Sequence, residues 1–315
     1  MNEFKLHPAN NFIWNQKEFI QFLANNQNES IIIDVLDGAC LDTIGVYQLL
    51  DQFRFKSVII KTPNPLESHP QYRIECIRPW WYFDAKKTNY ENYHQWSQQF
   101  VFGFFYNRPM WYRIGLASYL QTHHQTITQI NIRCNPNDQD QRQLFEVQDL
   151  FNYHPESFQE FCNVMHTWPI CIEEQDGYTM GDTTTAYVDQ LSRFYINFLI
   201  EVVSETWVNG RVFSLTEKTI RPMLMKKPFI VMGSKDCLDY LHQMGFYTFN
   251  EFWDESYDGH SGADRYKKIL TLIDSLSKKS IQELNAMYLD MTYQLDHNYQ
   301  LLISQTYKKN VELIV

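Results

Sequence analysis

The stretch Phe194 to Gly233, FYINFLIEVVSETWVNGRVFSLTEKTIRPMLMKKPFIVMG, decides the fold. Its opening run, Ile196 to Val203, is largely apolar and β-branched, which at that length suits a strand buried on both faces rather than a helix. Ser204-Glu205-Thr206 close the run, and Asn209-Gly210 mark a loop. Thr216 is an N-cap candidate, with Glu217 and Lys218 in the first turn of the helix it would start. Lys226-Lys227-Pro228 stops that helix before a second apolar run, Pro228 to Gly233. Strand, loop, helix, strand is one βαβ unit of a parallel sheet.

A helix that starts at the carboxyl end of a parallel strand aims its free N–H groups and positive dipole end into the crevice where α/β proteins bind ligands. Phosphate is the natural guest there. Lys218 would add a mobile positive charge, and Glu217 could accept the hydrogen bonds of a ribose diol. The helix dipole alone also favours an acid in the first turn, so residue types leave both readings of Glu217 open.

The string VSETWVNGRVFSLTEKTIRPMLMKKPFIVMG resembles the nucleotide-sugar site of GT-B glycosyltransferases, most nearly the α1,3-fucosyltransferase-like group. That group's pattern is roughly F-E-N-[ST], a glycine-containing loop, then aromatic-x-T-E-K and a helix leading to a P-I/F-[IV] strand. Glu205-Thr206, Phe213 and Thr216-Glu217-Lys218 fall in order on it. Upstream, FVFGFFYNRPMWYRIGLASYL resembles the group's strand ending in S-N-P with an arginine six residues beyond the asparagine; Asn107 and Arg113 keep that spacing, with Pro109 displaced by one. Here the loop between Glu205 and Glu217 is longer than in the fucosyltransferases, and Ser204-Glu205-Thr206 stands where they have F-E-N. LHQMGFYTFNEFWDESYD, from Leu241 to Asp258, is similar to a segment of uncharacterised phage and bacterial glycosyltransferase-like proteins. The resemblance covers roughly residues 100–270.

It implies a two-domain α/β GT-B fold, two Rossmann-like domains with a C-terminal helical extension that packs back on the first. The expected division is an acceptor-side domain over 1–96 and a nucleotide-sugar domain over 97–315. The implied donor site is Asn107, Arg113, Glu205, Thr206, Phe213, Thr216, Glu217 and Lys218, with Arg113 and Lys218 neutralising the departing diphosphate, Glu217 on the ribose and Phe213 near the base. Asp37, at the end of an expected strand, is the candidate base that deprotonates the acceptor, although Asp before Gly is most often a turn residue. The expected activity moves a sugar from a nucleotide diphosphate sugar to a hydroxyl, on a glycan or similar acceptor, without metal or other cofactor. Two alternatives remain: a phage-type transferase acting on hydroxymethylated DNA bases, and a non-catalytic binder of sugar nucleotides or glycans.

The rest of the chain supports an alternating α/β reading. A helix is expected over 13–25, strands over Ile31–Leu36, Ser57–Ile60 and Tyr72–Ile77, and a helix over Thr43–Phe53. In the second half, Phe100–Phe105 and Ile127–Ile132 read as strands, Asp236–Met244 as a helix closed by Gly245, Phe246–Phe249 as a short extended piece, and Arg265–Leu276 and Ser280–Ile303 as long helices. Adjacent His123 and His124 point to different sides of regular structure and make a poor chelate. Asp138-Gln-Asp140 imitates a metal-binding D-x-D but sits in an Asn/Asp-rich loop where such a string arises by chance.

At 315 residues and 44% hydrophobic content the chain can build two cores. A net charge of −10 and the lack of any Lys/Arg cluster argue against a nucleic-acid partner, whose phosphates call for a basic surface. Six scattered cysteines form no C-x-x-C pair, and no run of about 18 apolar residues or charged-then-apolar leader is present. The expectation is a cytoplasmic protein with reduced thiols and no membrane span.

Overall fold

The computed structural model describes residues 1–6, 15–36, 38–77, 94–106, 108–138, 145–172, 191–213, 216–304 and 306. It holds two four-stranded parallel sheets, each with its own core.

The first runs β1 (Asn2–Leu6), α1 (Gln16–Asn25), β2 (Ser30–Val35), α2 (Val46–Leu50), β3 (Ser57–Thr62) and β4 (Arg73–Cys76), with the strands lying in chain order. Register places Ile31 beside Val58 and Ile33 beside Ile60, so the alternate apolar residues form one continuous face. Phe19 and Leu23 of α1 and Val46, Tyr47 and Leu50 of α2 share the core beneath it. Right-handed crossovers in a monotonic strand order put both helices on one side. The opposite face carries Lys5, Asp34, Lys61 and Glu75 in one lateral row of alternating charge. A sheet without a reversal in strand order has no topological switch point, and hence no ready-made ligand crevice.

The second sheet has that reversal. Its elements are β5 (Phe100–Tyr106), α3 (Trp111–His123), β6 (Thr128–Ile132), α4 (Val147–Tyr153), α5 (Pro155–Val164), β7 (Phe198–Ser204), α6 (Glu217–Leu224), β8 (Phe229–Met232), α7 (Cys237–Gln243), α8 (Gly262–Ser277), α9 (Ile281–Asp290) and α10 (Thr292–Ser304). The order is β6-β5-β7-β8, all parallel. The chain leaves β5 for β6 on one side and β7 lies on the other, so the crevice opens at the carboxyl ends of β5 and β7. Both are central strands, which is why their sequences read as largely apolar runs. Gly103 is required where they meet, because a Cβ there would stand 2.7 Å from the Phe198 ring.

One charge interrupts the run. Glu201, wholly buried on β7, is ion-paired with Arg221 of α6 and accepts a hydrogen bond from the Tyr195 hydroxyl, which pins α6 against the sheet. Leu66 and Trp96 belong to this second core although they precede β5.

Several elements differ from their sequence reading. The β1 strand was not expected. The 43–53 helix shrinks to Val46–Leu50, since residues 41–45 are turn and Gly45 is left-handed at φ 78°. β7 starts at Phe198 because Arg193–Ile196 forms a 3-10 turn. The expected 280–303 helix is two, α9 and α10, divided at Met291. α10 packs on the second unit. Leu295 and Leu302 join its core, and Asn298 grips the Tyr247 main chain through an N–H at 2.8 Å and a carbonyl at 2.9 Å.

Candidate functional site

Past the end of β7, Glu205 turns its carboxylate toward the start of α6. It accepts the Thr219 hydroxyl at 2.6 Å and the Thr216 hydroxyl at 2.5 Å, while Thr216 Oγ1 caps the Lys218 N–H at 3.2 Å. Glu205 is only 5% exposed, so these charge-assisted bonds offset its desolvation and lock the helix start to the switch point. Thr216 is thus the cap that the sequence suggests.

Arg113 does not face an open phosphate site. It lies in the first turn of α3, fully buried, and its Nη2 donates to the carbonyls of Ser204 at 2.9 Å and Glu205 at 3.0 Å. The neighbouring Tyr112 hydroxyl reaches the Glu205 and Thr206 carbonyls, each at 2.8 Å. Carbonyls just past a strand end have lost their ladder partners and, when buried, need replacements. Arg113 and Tyr112 supply them, which makes this pair the brace of the site's floor. The carbonyl of Thr206 is occupied in the same way.

Glu217 and Lys218 hold each other. Lys218 Nζ lies 2.7 Å from Glu217 Oε1, with the side chains 20% and 21% exposed. Burial alone would raise the Glu217 carboxyl, but the Lys218 ammonium and the backbone N–H outweigh it and keep the group below its ordinary range. A ligand that takes Lys218 therefore frees Glu217.

Phe213 is no open stacking platform. It is 4% exposed and packs on Tyr240 with ring centroids 5.0 Å apart. With Glu205, Trp207, Thr219, Gly233 and Ser234 it lines a small, partly open cavity at the carboxyl ends of β7 and β8. That cavity measures about 20 Å³, room for roughly one water.

Asp37, Asn107 and Asp140 lie outside the described residues. His123 and His124 take separate acids, Glu160 at 2.8 Å and Asp274 at 3.0 Å. Among the described residues no cluster of three or more His, Cys, Asp or Glu side chains could hold a metal ion. None of their helices is long and apolar enough to cross a membrane.

The sequence reading missed Tyr112, Thr219 and Asn64. Thr219 stands one turn from Thr216 and could have been paired with Glu205 once the helix start was known. Asn64 lies in the Thr62-Pro-Asn-Pro turn, where the local pattern gives only a turn residue, yet its Nδ2 reaches the Arg211 carbonyl at 3.0 Å.

No known family, curated protein or solved structure matches the chain. The glycosyltransferase resemblance therefore rests on the motif positions quoted above.

Proposed function

We propose that the chain is a GT-B-like glycosyltransferase that takes a nucleotide diphosphate sugar as donor and transfers the sugar to a hydroxyl acceptor, in keeping with its charge a glycan rather than DNA. One observation carries this reading. The N-terminus of α6, locked by Glu205 and topped by Lys218, stands at the strand-order reversal of the second sheet, the place where a parallel sheet offers its crevice.

This reading assigns the following roles. The α6 N–H groups and Lys218 face the diphosphate, whose bridging oxygen gains charge as the sugar–phosphate bond breaks. Glu217, released from Lys218, accepts the ribose hydroxyls. Arg113 acts through the Ser204 and Glu205 carbonyls as a positioning residue. The acceptor oxygen bonds to the anomeric carbon, its proton passes to a carboxylate of the first unit, and the bond pair leaves with the diphosphate. Asp37, two residues past β2 in the chain, is the proposed base.

A thermal-shift panel of UDP, GDP, ADP and CMP in EDTA tests this. A true ligand at 100 times its dissociation constant adds about 2.7 kcal/mol of stability. One nucleotide should stabilise the wild type without metal and fail to stabilise Lys218→Ala. A flat panel overturns the reading.

A further inference from the structure

We propose that the strap from Trp207 to Phe213 is an autoinhibitory latch: it roofs the cavity beside Glu205 and is bolted to the first α/β unit through Asn64, so a ligand enters only when the strap parts from that unit. The latch and the identity of its ligand both rest on the donor reading above.

The size of the cavity is the first argument. At about 20 Å³ it holds roughly one water, far less than a heterocyclic base. Something must move. The floor is made of the ends of β7 and β8 and of Thr219 on α6 and Cys237 on α7, all tied into sheet or helix bonding. The strap has no helix or strand of its own, so lifting it leaves the sheet ladder and the helix bonding intact.

Its fastenings are the second argument. Asn64 is 1% exposed, and besides donating to the Arg211 carbonyl at 3.0 Å it accepts the Phe213 N–H at 3.4 Å. The same amide is fixed to its own unit by Glu67 Oε2 at 3.3 Å and the Leu66 N–H at 3.2 Å. Glu67 in turn takes the Leu41 N–H at 3.1 Å and the Tyr47 hydroxyl at 2.6 Å, so the bolt is anchored in the first core. Beside it, Gly210 sits at φ 79° so close to Cys40 and Thr43 that any Cβ would collide with both. On the second unit the strap is held by the Ser234 hydroxyl on the Val212 carbonyl and by the Gly262 N–H on the Val208 carbonyl at 3.2 Å.

Docking of the first unit and filling of the cavity therefore compete, and the competition is reciprocal. If the open form is a minor state, apparent affinity is divided by its population, so weakening the bolt should tighten binding. A merely structural role for Asn64 gives the reverse.

The test combines amide hydrogen exchange with calorimetric titration of UDP and GDP on the wild type, Asn64→Ala and Gly210→Ala. Loss of a net hydrogen bond should raise strap exchange about tenfold while β7 and β8 stay protected, and should tighten nucleotide binding by up to the same factor. Gly210→Ala pushes the strap from the first unit by collision and serves if Asn64→Ala does not fold. Unchanged strap exchange in both variants, or faster exchange with weaker binding, overturns the latch. Nucleotide binding with strap exchange unchanged in both variants overturns the latch alone, whereas an opened strap with no nucleotide bound by any of the proteins overturns the donor reading and the latch with it.

Discussion

Removing the charge of Arg113 and removing that of Lys218 should give opposite phenotypes. Arg113→Ala leaves the buried Ser204 and Glu205 carbonyls short of a donor, each worth about 1–3 kcal/mol, so the variant should lose roughly 2–4 kcal/mol in urea unfolding. Lys218→Ala removes a partly buried pair partner and should cost about 1 kcal/mol, while abolishing the stabilisation by nucleotide. A stable Arg113→Ala protein that has lost only nucleotide affinity would return Arg113 to the phosphate clamp that its spacing from Asn107 suggested. The sequence could not separate these roles, because an arginine in a first helical turn looks the same whether it faces solvent or the strand ends beside it. Phe213 misled in the same way: an aromatic residue ahead of T-E-K reads as a stacking platform, and only the packing on Tyr240 shows it to be a wall.

At the scale of elements, β7, α6 and β8 were legible because each carries its own local signal: a largely apolar run, a Thr cap, a Lys-Lys-Pro stop. What stayed hidden is whatever one element borrows from another. The start of α7 is an example, since Asp236 lies left-handed at φ 62° and caps nothing, while Asp258 receives the Leu238 N–H at 3.1 Å from twenty residues on. Arg265 holds that acid at 3.0 Å. The start of α6 shows the opposite case, a visible cap with an invisible second duty. Thr216→Ala should cost about 0.5–2 kcal/mol as a lost cap, and Thr219→Val leaves the cap in place but strips Glu205 of one hydroxyl. If the Glu205 lock orders the helix start for an anion, both variants should weaken nucleotide binding. Loss of affinity in Thr216→Ala alone would assign the effect to the cap and leave the lock without a part in binding.

For the molecule as a whole, alternating α/β segments announced two parallel sheets, but strand order, and with it the location of the switch point, depends on contacts between segments that no local pattern encodes. The same holds for two ionisable groups, Lys227 buried and Glu255 partly so, that shape the pH response. Desolvation raises the Glu255 carboxyl to about 7, outweighing the bonds from the Thr248 hydroxyl and the Phe249 N–H that favour its charged form. Lys227, fully buried, finds the Gln95 carbonyl at 2.8 Å and the Tyr288 ring face, and burial lowers its ammonium to about 7. The signs oppose. Between about pH 4.3 and 7 the folded chain holds the Glu255 proton more tightly than the unfolded chain, so stability falls as pH rises. Between pH 7 and about 10.4 the unfolded chain holds the Lys227 proton more tightly, so stability rises with pH. These two groups together carve a minimum near neutrality, with limbs on the order of 1–2 kcal/mol from pH 5.5 to 7 and from 7 to 9. Urea midpoints at those three pH values should trace the dip, Glu255→Gln should flatten the acid limb, and Lys227→Met the alkaline one. A wild-type maximum at pH 7, unchanged in both variants, would mean that water or rearrangement solvates these charges in the folded protein, and that the core around the α6–β8 turn is looser than its packing implies.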